Sequence, residues 1–275
     1  MKAFDSFHIK GDSHLVCQDY AFSRVVSNKA GKTVYLGVVS DGCSGAPRSE
    51  MGSTLLVTVA VNLLVPMIEN AEVLPEIDES FFLLCVQKLR EFFPNMEHGL
   101  YSHAATLIVY MSRGQRGVVH MMGDGAVFWM NRDGSKHMKS VRFSKERPFY
   151  PEYMLSYGQV GMHNSYNQNK ILTVVENGVE HREVVMGLEP QLVTLHFAND
   201  NLKFIFVTTD GFTSSRKTEF AALEEFSNIE KFSDQFAIQH ATRFKNNEHV
   251  VLAEGDADPG KNWFDDDIGG VIGIF

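Results

Sequence analysis

Several aspartates in this chain lie close to apolar, strand-like runs. Asp41 comes shortly after the run 34–39, Asp210 comes shortly after 204–207, and Asp266 lies in an aspartate triplet just before a terminal apolar run. Two carboxylates 4 Å apart repel each other by about 4 kcal/mol at an effective dielectric near 20, so a group of them beside buried strands needs a cation. Carboxylate oxygens are ligands that Mg²⁺ and Mn²⁺ prefer. The pattern predicts a metal-dependent hydrolytic centre.

Charge and cysteine content exclude some classes of partner. The 275-residue chain has a formal net charge of −9, whereas a nucleic-acid-binding surface needs clustered Lys and Arg. Its three cysteines, Cys17, Cys43 and Cys85, include no CxxC pair, so neither a zinc site nor a redox couple is indicated. We expect a protein of the reducing cytoplasm with no nucleic-acid partner.

The longest apolar stretch, Leu55–Ile68, contains Pro66. It is shorter than the roughly 20 residues that cross a bilayer, so it predicts a buried helix. The first residues lack the charged and apolar regions of a secretory signal. We therefore expect no membrane association.

Apolar runs of strand length recur along the chain, and many are rich in Val, Ile, Phe and Tyr. The runs are 34–39, 104–111, 117–122, 126–130, 171–175, 192–198, 203–208 and 270–275. Turn residues at Asn131–Gly134 and Ala198–Asn201 predict hairpins between such runs. We expect sequential strands to pair in antiparallel sheets.

Apolar residues recur with helical periodicity in 49–64 and 79–93, and both segments predict long helices. A further helical region, with a break inside it, spans 218–244. Strands with interspersed helices indicate two sheets covered by helices, in one domain of residues 1–275. The polar stretch 132–169 lacks clear periodicity and predicts a mobile flap over a site.

Four segments, in chain order, resemble the signature motifs of the PP2C-type (PPM) protein serine/threonine phosphatases. They are Cys17–Ala21, Val38–Gly45, Val207–Phe212 and Asp265–Val271. A fifth segment, Met122–Ala126, is similar to the family's Gly-Asp-Ser segment. Because these segments are spread over nearly the whole chain, the set is far more specific than any single motif. Residues 11–19 are most similar to the bacterial branch of the family.

The resemblance implies an α+β fold, a four-layer α-β-β-α sandwich of two antiparallel sheets flanked by helices. It also implies two Mg²⁺ or Mn²⁺ ions in a cleft at one end of the sandwich. Asp41 would bridge both ions, and the carbonyl of Gly42 would bind one of them. Asp210 and Asp266 would bind the other ion, and Asp19 would hold metal-bound water.

The chain departs from the family pattern at His14, where more familiar members have an arginine that grips the substrate phosphate. Histidine cannot form the bidentate contact of a guanidinium. We hypothesise that His14 contacts the phosphate or protonates the leaving alkoxide; an ordinary surface histidine is the alternative. Arg48 is a second candidate for the phosphate anchor, although an arginine solvated at a helix start is the simpler interpretation.

Two assignments near the implied metal site stay open. Within the aspartate triplet, Asp266 fits the family pattern best and Asp267 is the second choice. A third ion of the family uses the equivalents of Asp124 and Asp210 and an acid four residues later, where this chain has Ser214. We therefore expect a third ion at Asp124 to bind weakly or not at all.

The motifs together predict a metal-dependent phosphoprotein phosphatase, in which two cations activate water against Ser/Thr phosphate monoesters. The implied partner is a phosphoprotein, either a kinase or the target of one. Two alternatives stay open. Because the family's arginine is missing, one alternative is a PPM-fold pseudophosphatase, a binding or regulatory module without turnover. A small-molecule phosphatase is the other, because the motifs specify the metals and not the leaving group.

Overall fold

Two antiparallel sheets, flanked by helices, form the protein, as the sequence predicts. The computed structural model describes residues 1–11, 14–92, 103–145, 147–167, 169–176, 179–186, 191–214 and 266–275. The predicted helical region 218–244 lies outside these residues.

Within the described residues the strands are β1 Ala3–Ile9, β2 Tyr20–Ser27, β3 Thr33–Ser40, β4 Leu107–Arg113, β5 Arg116–Met122, β6 Gly125–Asn131, β7 Lys136–Phe143, β8 Asn169–Glu176, β9 Val179–Met186, β10 Val193–Ala198, β11 Leu202–Thr208 and β12 Ile268–Ile274. The α-helices are α1 Ser49–Asn70, α2 Glu79–Phe92, α3 Tyr157–Tyr166 and α4 Gly211–Ser214, and short 3-10 helices span Pro151–Leu155 and Asn199–Asn201.

Strand order brings separate aspartate segments to one end of the sandwich. One sheet has the order β1-β12-β11-β6-β7-β8-β9 and the other β10-β5-β4-β3-β2. In the first sheet Thr208 pairs with both Gly270 and Ala126, so the end of β11 meets the beginnings of β12 and β6. In the second sheet Tyr20 pairs with Ser40, so the beginning of β2 meets the end of β3.

The central strand β11 is buried on both faces. Ile205 and Val207 pack into the main core, whereas Phe204 and Phe206 pack into a second cluster on the opposite face. This division follows from the two-residue period of a strand. Burial on both faces explains why the sequence of β11 is a continuous apolar run rather than an alternating one.

Helix α1 covers the five-stranded sheet and packs against β2, β3 and α2. Its buried side includes Leu56, Ala60, Leu64 and Ile68, at the spacing of one helix face. The helix has 22 residues and is therefore longer than the apolar stretch that predicted it. By length and composition it is long enough to cross a bilayer, contrary to our expectation, although 56% of its most apolar window is buried inside the protein, and a buried core helix meets the same criterion.

One of the two predicted hairpins is confirmed and the other is wrong. Asn131–Gly134 joins the antiparallel pair β6 and β7, and Gly134 has the positive φ of +87° that such a turn uses. Residues 198–201 instead carry the chain from β10 in one sheet to β11 in the other. Turn residues predict a change of direction, but they do not determine which sheet receives the next strand.

Four strands were missed: β1, β2, β7 and β9. Three of them are sheet edges, where one side of the strand carries polar residues and the apolar pattern weakens. β7 lies inside the polar stretch 132–169, which also contains α3. The mobile flap within 132–169 stays a prediction. Because β7 occupies part of this stretch, the flap would lie in the residues after β7.

Candidate active site

Three carboxylates from distant parts of the chain converge at one end of the sandwich. Asp41 follows β3, Asp124 lies between β5 and β6, and Asp210 follows β11. One carboxylate oxygen of each lies within 4.8 Å of the others. The structure thus brings Asp41 and Asp210 together, and it places Asp124, which the sequence assigned only to a weak third site, in the same cluster.

Asp124 depends on its two flanking glycines. Gly123 and Gly125 have φ values of +106° and +148°, which side-chain-bearing residues rarely adopt. A Cβ at Gly125 would also lie 2.9 Å from the carbonyl oxygen of Thr208 on the neighbouring strand. The tight connection from one sheet to the other turns the Asp124 carboxylate toward the cluster.

The backbone of Asp41 is fixed by the segment that precedes β4. Its N–H donates to Thr106 Oγ1 at 3.0 Å, and its carbonyl accepts from Thr106 N–H at 2.8 Å. Ser40 Oγ in turn donates to the Thr106 carbonyl at 2.5 Å. These bonds continue the pairing of β3 with β4 past the end of the strands and hold Asp41 in place.

Asp19 lies behind the cluster rather than in it. Its side chain is buried, it shares a hydrogen bond with Asp41, and Thr209 Oγ1 donates to its Oδ2 at 2.6 Å. The N–H of Gly269 donates to the same oxygen at 2.9 Å. Asp19 therefore joins segments of both sheets, and its predicted role of holding water stays a prediction.

Burial and mutual repulsion raise the pKa of all four carboxyls. Burial is the largest cause for each. The pKa of Asp19 rises to about 8 and that of Asp210 to about 6, where the charge of Asp266 also contributes. The pKa values of Asp41 and Asp124 rise well above the usual range, because neighbouring aspartates add to the effect of burial. The cluster lacks enough positive charge to neutralise it.

A cavity of about 120 Å³ opens over the cluster. It is lined by His14, Gln18, Asp41, Gly42, Cys43, Ser44, Asp124, Pro148, Tyr150, Asp210 and Asp266. Arg48 is not among these residues: it is exposed at the N-cap of α1, with a left-handed backbone. Its role as a phosphate anchor stays a prediction.

Asp266, the first choice from the sequence for a metal ligand, and Asp267, the second choice, face different surroundings. The side chain of Asp266 is 41% exposed and lines the cavity. The side chain of Asp267 is 1% exposed and accepts hydrogen bonds from the N–H groups of Gly11 and Gln18. Asp266 is the one in position to bind a cation in the cavity.

Sequence reasoning missed Pro148 and Tyr150, which line one side of the cavity. The Tyr150 hydroxyl is hydrogen-bonded to the Cys43 thiol, and burial raises the pKa of Tyr150, so the hydroxyl keeps its proton. The carbonyl of Arg147, the residue before Pro148, accepts from Asn167 Nδ2 at 3.0 Å and lies 3.1 Å from His163 Nε2. These residues lie in the polar stretch without periodicity, where the aromatic pair at 149–150 was the only signal.

Arg142 was missed as well. It lies on β7, and its Nη2 donates to the carbonyl of Thr213 at 3.2 Å and to the Thr213 hydroxyl at 3.0 Å. Its charge lowers the pKa values of Asp124 and Asp210 and so opposes the effect of burial. The sequence offered no signal, because β7 was not recognised as a strand.

The donor set at the cavity fits a hard divalent cation. Gln18 Oε1 and Asp124 Oδ1 are buried, and neither has a hydrogen-bond partner among the residues that the structure describes. Buried acceptors left without a donor are costly, whereas a cation such as Mg²⁺ or Mn²⁺ takes oxygen ligands of this kind. The raised pKa values of the neighbouring carboxyls point to the same missing charge.

Comparisons with known proteins agree with the fold. A family model described as "Protein phosphatase 2C" matches residues 7–251. The structure of the serine/threonine phosphatase Stp1 from Staphylococcus aureus is similar, with 14% identity, a TM-score of 0.56 and coverage of 100% of this chain and 95% of that one. A serine/threonine phosphatase from S. agalactiae has 15% identity, a TM-score of 0.54 and 99% coverage of both chains. A search of curated proteins found no match.

Proposed function

This chain belongs to the protein phosphatase 2C family, and from that premise we propose that it is a metal-dependent phosphatase that hydrolyses Ser/Thr phosphate monoesters of phosphoproteins. The observation that supports this most is the convergence of Asp41, Asp124 and Asp210 at one cavity. We further propose that the partner is a kinase or a kinase target in the cytoplasm. The net charge of −9 favours a protein partner over nucleic acid.

We propose that this cavity holds two Mg²⁺ or Mn²⁺ ions. The family resemblance makes Asp41 the candidate to contact both ions, and its carboxylate lies within 4.8 Å of those of Asp124 and Asp210. Asp266 and the carbonyl of Gly42 line the same cavity and complete the candidate ligand set. When bound, such cations lower the pKa of water and neutralise phosphoryl oxygens during an in-line displacement.

The other cavity residues have distinct tasks in this proposal. Asp19 holds Asp41 from behind and ties it to Thr209, which limits movement of the ligand set. His14 lines the cavity at the position of the family's phosphate-gripping arginine, where it meets the phosphoryl group or the leaving oxygen. Pro148 and Tyr150 close one side of the cavity.

The size of the cavity favours a substrate that enters by its phosphoryl end. A volume of about 120 Å³ is far below the roughly 300–1,000 Å³ of pockets that enclose whole small molecules. A phosphorylated side chain reaching in from a protein surface fits such a cavity, and the leaving group then lies at the rim. This observation favours a phosphoprotein over a small phosphorylated metabolite.

Hydrolysis of p-nitrophenyl phosphate and of a phosphoserine peptide, with Mn²⁺ and with a chelator, tests the proposal. We expect turnover only with Mn²⁺, and a loss of about a thousandfold or more in Asp41→Asn and Asp210→Asn, since metal stabilisation of the transition state is worth several kcal/mol. Asp133→Asn is the matched control, because this aspartate lies in the exposed β6–β7 turn. Binding of the peptide without turnover under any cation would instead support the pseudophosphatase.

A further inference from the structure

The neighbouring residues Asp266 and Asp267 have different surroundings and do different work. Asp266 lines the cavity. The carboxylate of Asp267 is turned toward Gly11 and Gln18, and only 1% of its side chain is exposed. Both carboxylates approach His14 Nδ1, Asp267 at 2.9 Å and Asp266 at 3.6 Å.

Three donors converge on Asp267. The N–H of Gly11 donates to Oδ1 at 2.6 Å, and the N–H of Gln18 donates to Oδ2 at 2.6 Å. His14 Nδ1 lies 2.9 Å from Oδ2. These contacts occupy both oxygens of the carboxylate, which has room for about four hydrogen bonds. A cation would have to displace backbone donors to use Asp267 as a ligand.

A few further hydrogen bonds hold residues 14–18. Leu15 is 99% exposed and Val16 is 50% exposed, so these apolar side chains contribute little burial. Ser53 Oγ donates to the Gln18 carbonyl at 2.5 Å, and Lys10 Nζ donates to the His14 carbonyl at 2.9 Å. Asp267 is the buried acceptor that ties Gly11, His14 and Gln18 to the residue before β12.

The contact with Asp267 also orients the imidazole ring of His14. Carboxylate oxygens accept hydrogen bonds, so Nδ1 carries the hydrogen in this contact. A carboxylate on one ring nitrogen determines the tautomer and the ring orientation. Nε2 is then the nitrogen left to act in the cavity that His14 lines.

We propose that Asp267 is a positioning residue and not a cation ligand: it holds Gly11 and Gln18 in place and presents Nε2 of His14 to the substrate. This inference rests on the proposed phosphatase function. It gives the chain a carboxylate–histidine pair at the position where the family resemblance implies an arginine. The pair places Nε2 of His14 beside the phosphoryl group, where an arginine would make a bidentate contact through its guanidinium.

Four variants test the proposal: Asp267→Ala, Asp267→Asn, His14→Ala and the double variant Asp267→Ala/His14→Ala. Because hydrogen bonds to charged groups contribute about 1.5–3 kcal/mol, we expect kcat/KM for the phosphoserine peptide to fall about ten- to a hundredfold in Asp267→Ala and in His14→Ala. The double variant should lose no more than Asp267→Ala alone, since the contribution of His14 depends on Asp267. Multiplied losses in the double variant would overturn the proposal.

Two readouts do not depend on turnover. Calorimetric titration with Mn²⁺ alone should give the same number of sites in Asp267→Asn as in the unmodified protein, whereas Asp266→Asn should bind Mn²⁺ more weakly. The long-range ¹H–¹⁵N spectrum of His14 should show the Nδ1–H tautomer in the unmodified protein and a mixture in Asp267→Ala. Loss of a Mn²⁺ site in Asp267→Asn, or an unchanged His14 spectrum in Asp267→Ala, would overturn the inference.

These outcomes separate the inference from the function on which it rests. An unmodified protein without Mn²⁺-dependent turnover would contradict the phosphatase proposal, while the spectrum and the Mn²⁺ titration would still decide the role of Asp267. If Asp267→Ala does not fold, the Mn²⁺ titration of Asp267→Asn and the His14 spectrum of the unmodified protein decide the inference, and an Nε2–H tautomer in that spectrum would overturn it.

Discussion

The two walls of the cavity are built in different ways. The carboxylate wall consists of Asp41, Asp124 and Asp210, each attached directly to the end or the beginning of a central strand. The loop wall consists of His14 and Tyr150, which lie in segments outside the sheets. The backbone hydrogen bonds between paired strands position the carboxylate wall, whereas a few individual hydrogen bonds position the loop wall.

This difference separates the effects of mutation. The carboxylate wall is rigid and carries uncompensated repulsion, so removing one of its charges should stabilise the fold while abolishing activity. The loop wall carries little repulsion and depends on single contacts such as that between Asp267 and His14. Removing one of those contacts should change substrate turnover more than the free energy of unfolding.

Asp41→Asn should give the largest loss of turnover of the variants considered, and it should at the same time raise the free energy of unfolding. We expect a loss of turnover of about a thousandfold. The free energy of unfolding of the cation-free protein should rise by about 1–2 kcal/mol at pH 8, because Asp41 lies near the charges of Asp19, Asp124 and Asp210. Urea denaturation measures this change, and a loss of stability in the variant would contradict the repulsion argument.

Cation removal should make stability depend on pH. A carboxyl whose pKa is raised by folding holds a proton that the unfolded chain releases, so the free energy of unfolding falls as pH rises from about 4 toward the folded pKa. For Asp19 that pKa is about 8. Buried His120 and His163, whose pKa values are lowered from 6.5, give the opposite slope at lower pH.

The cation-free protein should therefore lose about 1–2 kcal/mol of stability per pH unit between about pH 6.5 and 8. Saturating Mn²⁺ should abolish this slope, and Asp41→Asn should reduce it. Thermal or urea unfolding at matched ionic strength measures all three cases. A flat pH profile without cations would show that the cluster is already neutralised by other groups.

Arg142→Ala should have a smaller effect on the carboxylate wall. The charge of Arg142 lowers the pKa values of Asp124 and Asp210, so its loss should raise competition from protons and make Mn²⁺ affinity about three- to tenfold more sensitive to a change from about pH 8 to pH 6, as expected of an exposed charge interaction. Arg182→Ala is the matched control, since Arg182 lies exposed on the edge strand β9 beside Glu180. An equal pH dependence of Mn²⁺ affinity in the two variants would exclude a role for Arg142.

Tyr150→Phe should have the smallest effect. The substitution removes the hydroxyl that bonds the Cys43 thiol but retains the ring that closes the cavity. A neutral hydrogen bond contributes about 0.5–1.5 kcal/mol, so we expect kcat/KM to fall about two- to tenfold. Tyr157→Phe, whose side chain is 98% exposed, is the control and should leave kcat/KM unchanged. Identical values for the two variants would mean that the hydroxyl of Tyr150 has no part in catalysis.

Strands buried on both faces were the easiest part of the fold to predict. β3, β6, β11 and β12 are continuous apolar runs, and their ends indicated where Asp41 and Asp210 would lie. Edge strands such as β1 and β9 carry polar residues, and the interior strand β7 (Lys136–Phe143) has the sequence KHMKSVRF, so neither kind shows the apolar pattern of a strand. The wrong hairpin at 198–201 has a related cause, because a local turn signal contains no information about sheet membership.

The amino-acid sequence by itself determined the order of the motifs, the α+β class and the carboxylate chemistry of the site, because each depends on residue type and short spacing. Only the tertiary structure showed the contacts that distinguish Asp266 from Asp267, brought Asp124 into one cluster with Asp41, and placed Arg142 and Tyr150 beside it. Such distinctions depend on strand register and on contacts between residues far apart in the chain, for which local spacing has no counterpart.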